Sequence, residues 1–98
     1  MDRNLLICLD YDFTFSADPE LWTEFVLSAQ KKGHGVVCVT LRYNNEFEAP
    51  DVLNSIGKLC SVIFTNRKAK KRFLEELNVH PDIWIDDEPE HIFRDARR

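Results

Sequence analysis

The feature that most constrains this chain is a set of four short apolar runs, each followed by a helical pattern. The runs are Leu5-Leu6-Ile7-Cys8-Leu9, Val36-Val37-Cys38-Val39, Ser61-Val62-Ile63-Phe64 and Ile83-Trp84-Ile85. The first is continuous rather than alternating, which predicts a strand covered on both faces, as in parallel sheets. Asp18 caps and Pro19 opens the first helix, whose apolar stripe is Leu21, Trp22, Phe25, Val26 and Ala29. Lys31 and Lys32 suit its C-terminal end, and Gly33 stops it. Pro50 and Asp51 open a second helix with Val52, Leu53, Ile56 and Leu59 on one face. Lys68 to Leu77 reads as a third, with Phe73, Leu74 and Leu77 inward, and Pro89 opens a short fourth carrying Ile92 and Phe93. The order β-α-β-α-β-α-β-α predicts an α/β fold. Right-handed crossovers make its open sheet parallel, with flanking helices, in one domain spanning residues 1–98; the expected strand order is 4-1-2-3.

Composition agrees with that reading. A chain of 98 residues buries roughly 60–65% of its unfolded surface, enough for a core without staples. With 44% hydrophobic and 31% charged residues it is neither disordered nor collagen-like. No apolar run approaches the ~20 residues that span a bilayer, and Met1-Asp2-Arg3-Asn4 leads straight into the first strand without a signal-peptide pattern. A cytoplasmic protein without membrane contact is expected. Cys8, Cys38 and Cys60 each read as falling inside an apolar, strand-like run and form no CxxC pair, which predicts buried, reduced thiols. The net charge of −4 gives no general attraction for nucleic acid, although Arg67 to Arg72 is locally basic.

Every strand of a parallel sheet delivers its last residues to one edge, where ligands bind near the switch in strand order. Here those residues are Asp10-Tyr11-Asp12-Phe13-Thr14, Thr40, Thr65-Asn66-Arg67 with the following lysines, and Asp86-Asp87. Four converging carboxylates repel one another unless a cation neutralises them, and hard oxygen donors point to Mg²⁺. A carboxylate beside a metal can attack phosphorus. A second one two residues on can protonate the leaving oxygen and then activate water. Thr40 and a lysine would hold the phosphoryl oxygens, and Arg42, in the polar loop after Thr40, a second anionic group of a substrate. The histidines lack metal-ligand spacing: His34 sits in a turn, His80 in a loop and His91 on the short last helix. Trp22 and Trp84 read as core rather than as stacking platforms.

These residues resemble the haloacid dehalogenase (HAD) superfamily along the whole chain. Leu9-Asp10-Tyr11-Asp12-Phe13-Thr14 is similar to its first motif (DxDxT), Thr40 to its second and Ile85-Asp86-Asp87 to its fourth, in the right order and at strand ends. The resemblance implies an HAD-like, Rossmannoid phosphatase with Asp10 as nucleophile and Asp12 as general acid/base. Asp10, the backbone carbonyl of Asp12 and Asp86 would hold Mg²⁺, with Asp87 assisting. The third-motif lysine is Lys70, in the first turn of its helix, with Lys68 and Lys71 as alternatives. Phe13 departs from the pattern, standing where many members carry glycine or aspartate, which predicts backbone strain or a narrowed entrance.

Neither the segment between Thr14 and Pro19 nor that between Thr40 and the lysines has room for a cap domain. The resemblance therefore implies an open site. It would be covered by a macromolecular phosphate end, or by a second subunit in a homodimer, or it would act unselectively on small phosphate monoesters. Two alternatives remain beside this: a catalytically idle domain that binds a partner, and a phosphatase for nucleotide or nucleic-acid ends. A response-regulator receiver is excluded because the adjacent acids follow the last strand, and a topoisomerase-primase module because the order of Glu and DxD is reversed.

Overall fold

Each apolar run becomes a strand, and all four strands run parallel: β1 (Leu6–Leu9), β2 (Gly35–Thr40), β3 (Ser61–Phe64) and β4 (Ile83–Ile85). The computed structural model describes residues 3–97, so Met1, Asp2 and Arg98 of the expected domain lie outside the described residues. The sheet order is β3-β2-β1-β4, which from the opposite edge reads 4-1-2-3. The chain winds outward from β1 through β2 to β3, then returns to the other side of β1. This reversal puts the switch point between β1 and β4.

Both faces of the sheet are covered, which explains the apolar runs. Ile7, Leu9, Val36 and Cys38 face a cluster with Val26 and Ala29 of α1 (Pro19–Lys31) and Val52 of α2 (Ala49–Leu53). The intervening Cys8, Val37 and Val39 pack with Leu74 of α3 (Lys70–Glu76) on the other face. A last turn, α4 (Glu90–Phe93), buries Ile92. The side chain of Asp18 accepts the Leu21 N–H at 3.1 Å, and Gly33 follows α1 at φ +93°. Trp22 and Trp84 are half-buried and pack against the two clusters, one each. Among the described residues no helix is long and apolar enough to cross a membrane.

Three helical expectations change. The second helix ends at Leu53 and resumes only as a 3₁₀ turn, Ile56–Lys58. The Ser55 hydroxyl bonds back to the carbonyl of Asp51 at 2.6 Å, and Asn54 and Gly57 are poor helix formers. Val52 and Ile56 still reach the core, whereas Leu53 is exposed. The third helix starts at Lys70 rather than Lys68, because Ala69 is extended and the Thr65 hydroxyl holds the Lys68 carbonyl at 2.9 Å. Leu77 and Phe93 face solvent. The chain leaves α3 at Asn78 (φ +61°), and Val79, whose N–H bonds the Leu74 carbonyl, takes the packing place expected of Leu77.

Leu74 is 0% exposed and Leu77 53%. Leu74→Ala is expected to lose about 2–5 kcal/mol in urea unfolding, and Leu77→Ala to stay within about 0.5 kcal/mol. Similar losses for both would contradict the register of α3.

Candidate active site

The β1–β4 pairing continues one residue past the strands. Leu9 lies opposite Ile85, and the Asp10 N–H donates to the Ile85 carbonyl at 3.0 Å. Asp10 and Asp86 are thereby brought side by side at the switch point. The chain then folds back over Asp10. Its carbonyl accepts the Phe15 N–H at 3.3 Å, the Tyr11 carbonyl accepts the Ser16 N–H at 2.9 Å, and the rings of Tyr11 and Phe15 stack at 6.0 Å. Asp10 is buried as a result.

Lys70 enters from the first turn of α3. Its Nζ lies 2.8 Å from Asp10 Oδ1 and 2.6 Å from Asp86 Oδ2, and the residue is only 2% exposed. Lys68 is exposed, and Lys71 is an exposed partner of Glu75 at 3.8 Å. Of the three candidate lysines, Lys70 is the one brought to these carboxylates. The Thr14 hydroxyl sits 3.1 Å from Asp10 Oδ2 and 3.2 Å from Asp87 Oδ1. Burial disfavours the charge on Lys70, yet Asp10 and Asp86 outweigh it and hold its pKa above the ordinary value. Burial also pushes the Asp10 carboxyl up to about 7, assisted by Asp87 and Asp86 and opposed by Lys70.

Asp10, Asp86 and Asp87 each offer an oxygen within 4.8 Å of the others. Three carboxylates and one ammonium leave two negative charges, so the donor set fits a hard divalent cation in both chemistry and charge. The Asp12 carboxylate is not in this group. Arg42 takes it in a two-point pair, Nη2 to Oδ1 at 2.8 Å and Nε to Oδ2 at 3.1 Å. A planar fork on Arg42 is a better partner for Asp12 than three like charges. The Asp12 side chain therefore lies outside the three carboxylates that could hold a metal.

Two expected substrate contacts are engaged elsewhere. Arg42 also donates to the Glu48 carbonyl at 2.7 Å and lies 5.0 Å over the Tyr11 ring, so its guanidinium is committed within the protein. Its pKa is raised, first by the bond to Asp12. Thr40 is wholly buried and is not among the residues that line the cavity; its hydroxyl accepts the Arg42 N–H at 3.3 Å. This bond ties the loop that carries Arg42 to the end of β2.

A cavity of about 590 Å³ opens over these groups. The loops from Arg42 to Glu48 and around Arg67 border it, as the sequence led one to expect, but their pairings and the C-terminal lining were not foreseen. Arg67, at φ +72°, forms a second two-point pair with Glu48 at 3.1 and 3.0 Å and lies 4.8 Å over Tyr43. The C-terminal segment turns back so that Ala96 N–H donates to the Arg67 carbonyl at 2.7 Å and Asp95 accepts the Ala69 N–H at 2.7 Å. His91 is half-buried and lines the cavity with Ala96. No local pattern announces these contacts; Thr14, inside the DxDxT motif, was the one with a visible signal. His34 is structural, its Nδ1 accepting the Leu5 N–H at 3.0 Å. Cys8 and Cys38 are buried and Cys60 half-buried, all three free; burial pushes the Cys8 thiol up to about 12, so it is no nucleophile. Comparison of the chain with protein-family models, curated proteins and solved structures returns no match.

Removing the ammonium leaves three neighbouring carboxylates unbalanced. Lys70→Met is expected to lose about 3–5 kcal/mol of stability in chelator at neutral pH, and Lys68→Met and Lys71→Met less than about 0.5 kcal/mol. Equal effects in urea unfolding would refute the assignment of Lys70. A second expectation follows from Asp10. Its folded-state pKa lies above the ordinary 3.8, so in chelator its contribution to stability is lost as pH rises from 3.8 to about 7. A divalent cation offsets that loss where the carboxyl is ionised. Millimolar Mg²⁺ should raise the melting temperature more at about pH 8 than at about pH 5; no shift at either pH would refute the metal site.

Proposed function

We propose that this chain is an Mg²⁺-dependent phosphomonoester hydrolase of the HAD-like kind, working through an aspartyl-phosphate on Asp10. The observation that carries the reading is the buried Asp10 at the switch point, with Lys70 on one carboxylate oxygen and Asp86 and Asp87 alongside. When bound, the cation would neutralise charge on the transferring phosphoryl group and draw Asp10 into its ionised form.

The remaining steps belong to side chains. Lys70 and Thr14 fix the Asp10 carboxylate, so that one of its oxygens attacks phosphorus while the bond from phosphorus to the ester oxygen breaks. The departing oxygen keeps the electron pair and takes a proton from Asp12. Water then attacks the phosphorus of the aspartyl-phosphate and gives its proton to Asp12, and inorganic phosphate leaves as Asp10 is regenerated. Arg42 sets the plane of Asp12, and each Asp12 oxygen keeps a lone pair for the proton. The Lys70 ammonium offsets charge throughout without giving up its proton, as its raised pKa favours.

The same Asp12–Arg42 pair favours the rival reading, an idle domain that binds a partner, since a clamped carboxylate is a poor proton donor. A panel of phosphate monoesters with and without Mg²⁺ separates the two. Asp10→Asn should abolish turnover with the melting temperature retained, and Asp12→Asn should slow it by about 10²–10⁴-fold. Turnover by Asp10→Asn at the wild-type rate would end the aspartyl-phosphate reading.

A further inference from the structure

Two phenylalanines stand largely exposed at the cavity. Phe13, on the β1–α1 loop, is 78% exposed, and Phe47, on the β2–α2 loop, is 83% exposed. Phe13 holds φ +61°, a conformation that glycine adopts without steric penalty and a bulky residue does not. Its N–H is satisfied by the Ser16 hydroxyl at 2.9 Å, a bond any residue could make. The ring therefore adds strain and brings the fold little burial in return. Phe47 is presented similarly: Asn45 Oδ1 accepts the N–H groups of Phe47 and Glu48 at 2.9 and 2.8 Å, which fixes the loop and leaves the ring outside.

The charges at the cavity point the same way. Seven carboxylate side chains line it against three cations, Arg42, Arg67 and Lys70. All three cations are tied to carboxylates at 3.0 Å or less. Among the described residues that line the cavity, no guanidinium is left to receive a second phosphate or a carboxylate, and the surplus of acids repels one. Resting on the phosphohydrolase reading, we propose that the preferred substrate is a phosphate monoester with an aromatic, uncharged or cationic leaving group, gripped by Phe13 and Phe47. Nucleotide polyphosphates, sugar bisphosphates and nucleic-acid ends are disfavoured by the same lining.

The test compares benzyl phosphate with ethyl phosphate, both alkyl esters, so that the ring changes binding far more than the chemistry of the leaving oxygen. In the presence of Mg²⁺, kcat/KM for wild type should favour benzyl by about tenfold or more. Phe13→Gly and Phe47→Ser should each bring the ratio down, and together near unity. Phe13→Gly should keep or raise the melting temperature, which separates loss of grip from loss of fold. No benzyl preference in wild type, or a preference that survives in both variants, overturns the proposal while leaving the hydrolase reading intact. If neither ester is hydrolysed, the hydrolase reading fails by itself. Calorimetry with benzylphosphonate and ethylphosphonate plus Mg²⁺ then decides the aromatic grip: tighter benzyl binding that the variants lose supports it, and equal or absent binding overturns it.

Discussion

The Lys70 ammonium between Asp10 and Asp86 is the contact on which the rest of this site depends. It joins the ends of β1 and β4 to the first turn of α3, three elements distant in sequence. Burying a lysine and a carboxylate is expensive unless each is paired and hydrogen-bonded. Here the arrangement is held by elements with independent reasons to be where they are. The parallel register puts Asp10 beside Asp86, and Leu74, packed under the sheet one turn along α3, fixes the helix that carries Lys70. The excess of carboxylate over ammonium is then what a divalent cation would relieve. Folding energy from the sheet and α3 is spent on holding like charges together.

A second polar network sits beside the first and has a different task. Asp12–Arg42 and Glu48–Arg67 are both two-point pairs, and the Arg42 and Arg67 guanidinium groups also hold the backbone carbonyls of Glu48 and Leu41. Each arginine stacks on a tyrosine, Tyr11 or Tyr43. The loops after β1, β2 and β3 are thus cross-tied without an apolar core of their own. The two networks differ in exposure: the lysine is sealed, whereas the Arg42–Asp12 pair is part-exposed.

The sheet was legible in the sequence because every strand is covered on both faces, which makes its apolar runs short and continuous. Strand-end chemistry was legible for the same reason: a parallel sheet puts every strand's exit on one edge, so Asp10, Asp86 and Asp87 meet wherever the helices lie. Legibility ended where contacts depend on loop conformation. Arg42 looked free because sequence alone does not show that Asp12 and the Glu48 carbonyl stand within its reach. Thr40 looked like a ligand contact because its depth below the edge depends on the path of the following loop. Leu77 satisfied the helical period, but the left-handed Asn78 gave its place to Val79. The tail contacts of Asp95 and Ala96 had no signal, being polar residues outside any periodic element.

Phe13 breaks the local rules most openly and shows what such a breach implies. At φ +61°, a glycine would relieve steric strain at a site where the ring contributes little burial to the fold. Local preference and global fold usually agree, and the exceptions gather where function outweighs stability. The strain alone would be ambiguous, since Asn66, Arg67 and Asn78 also hold positive φ. Those three differ from Phe13 in what they gain. Asn66 and Arg67 donate their N–H groups to the carbonyls of Arg42 and Leu41, and Asn78 redirects the chain so that Val79 can pack. Phe13 makes a backbone bond of the same quality, but that bond belongs to its N–H and would persist with glycine. What the phenyl ring adds is an apolar surface beside a polar cavity.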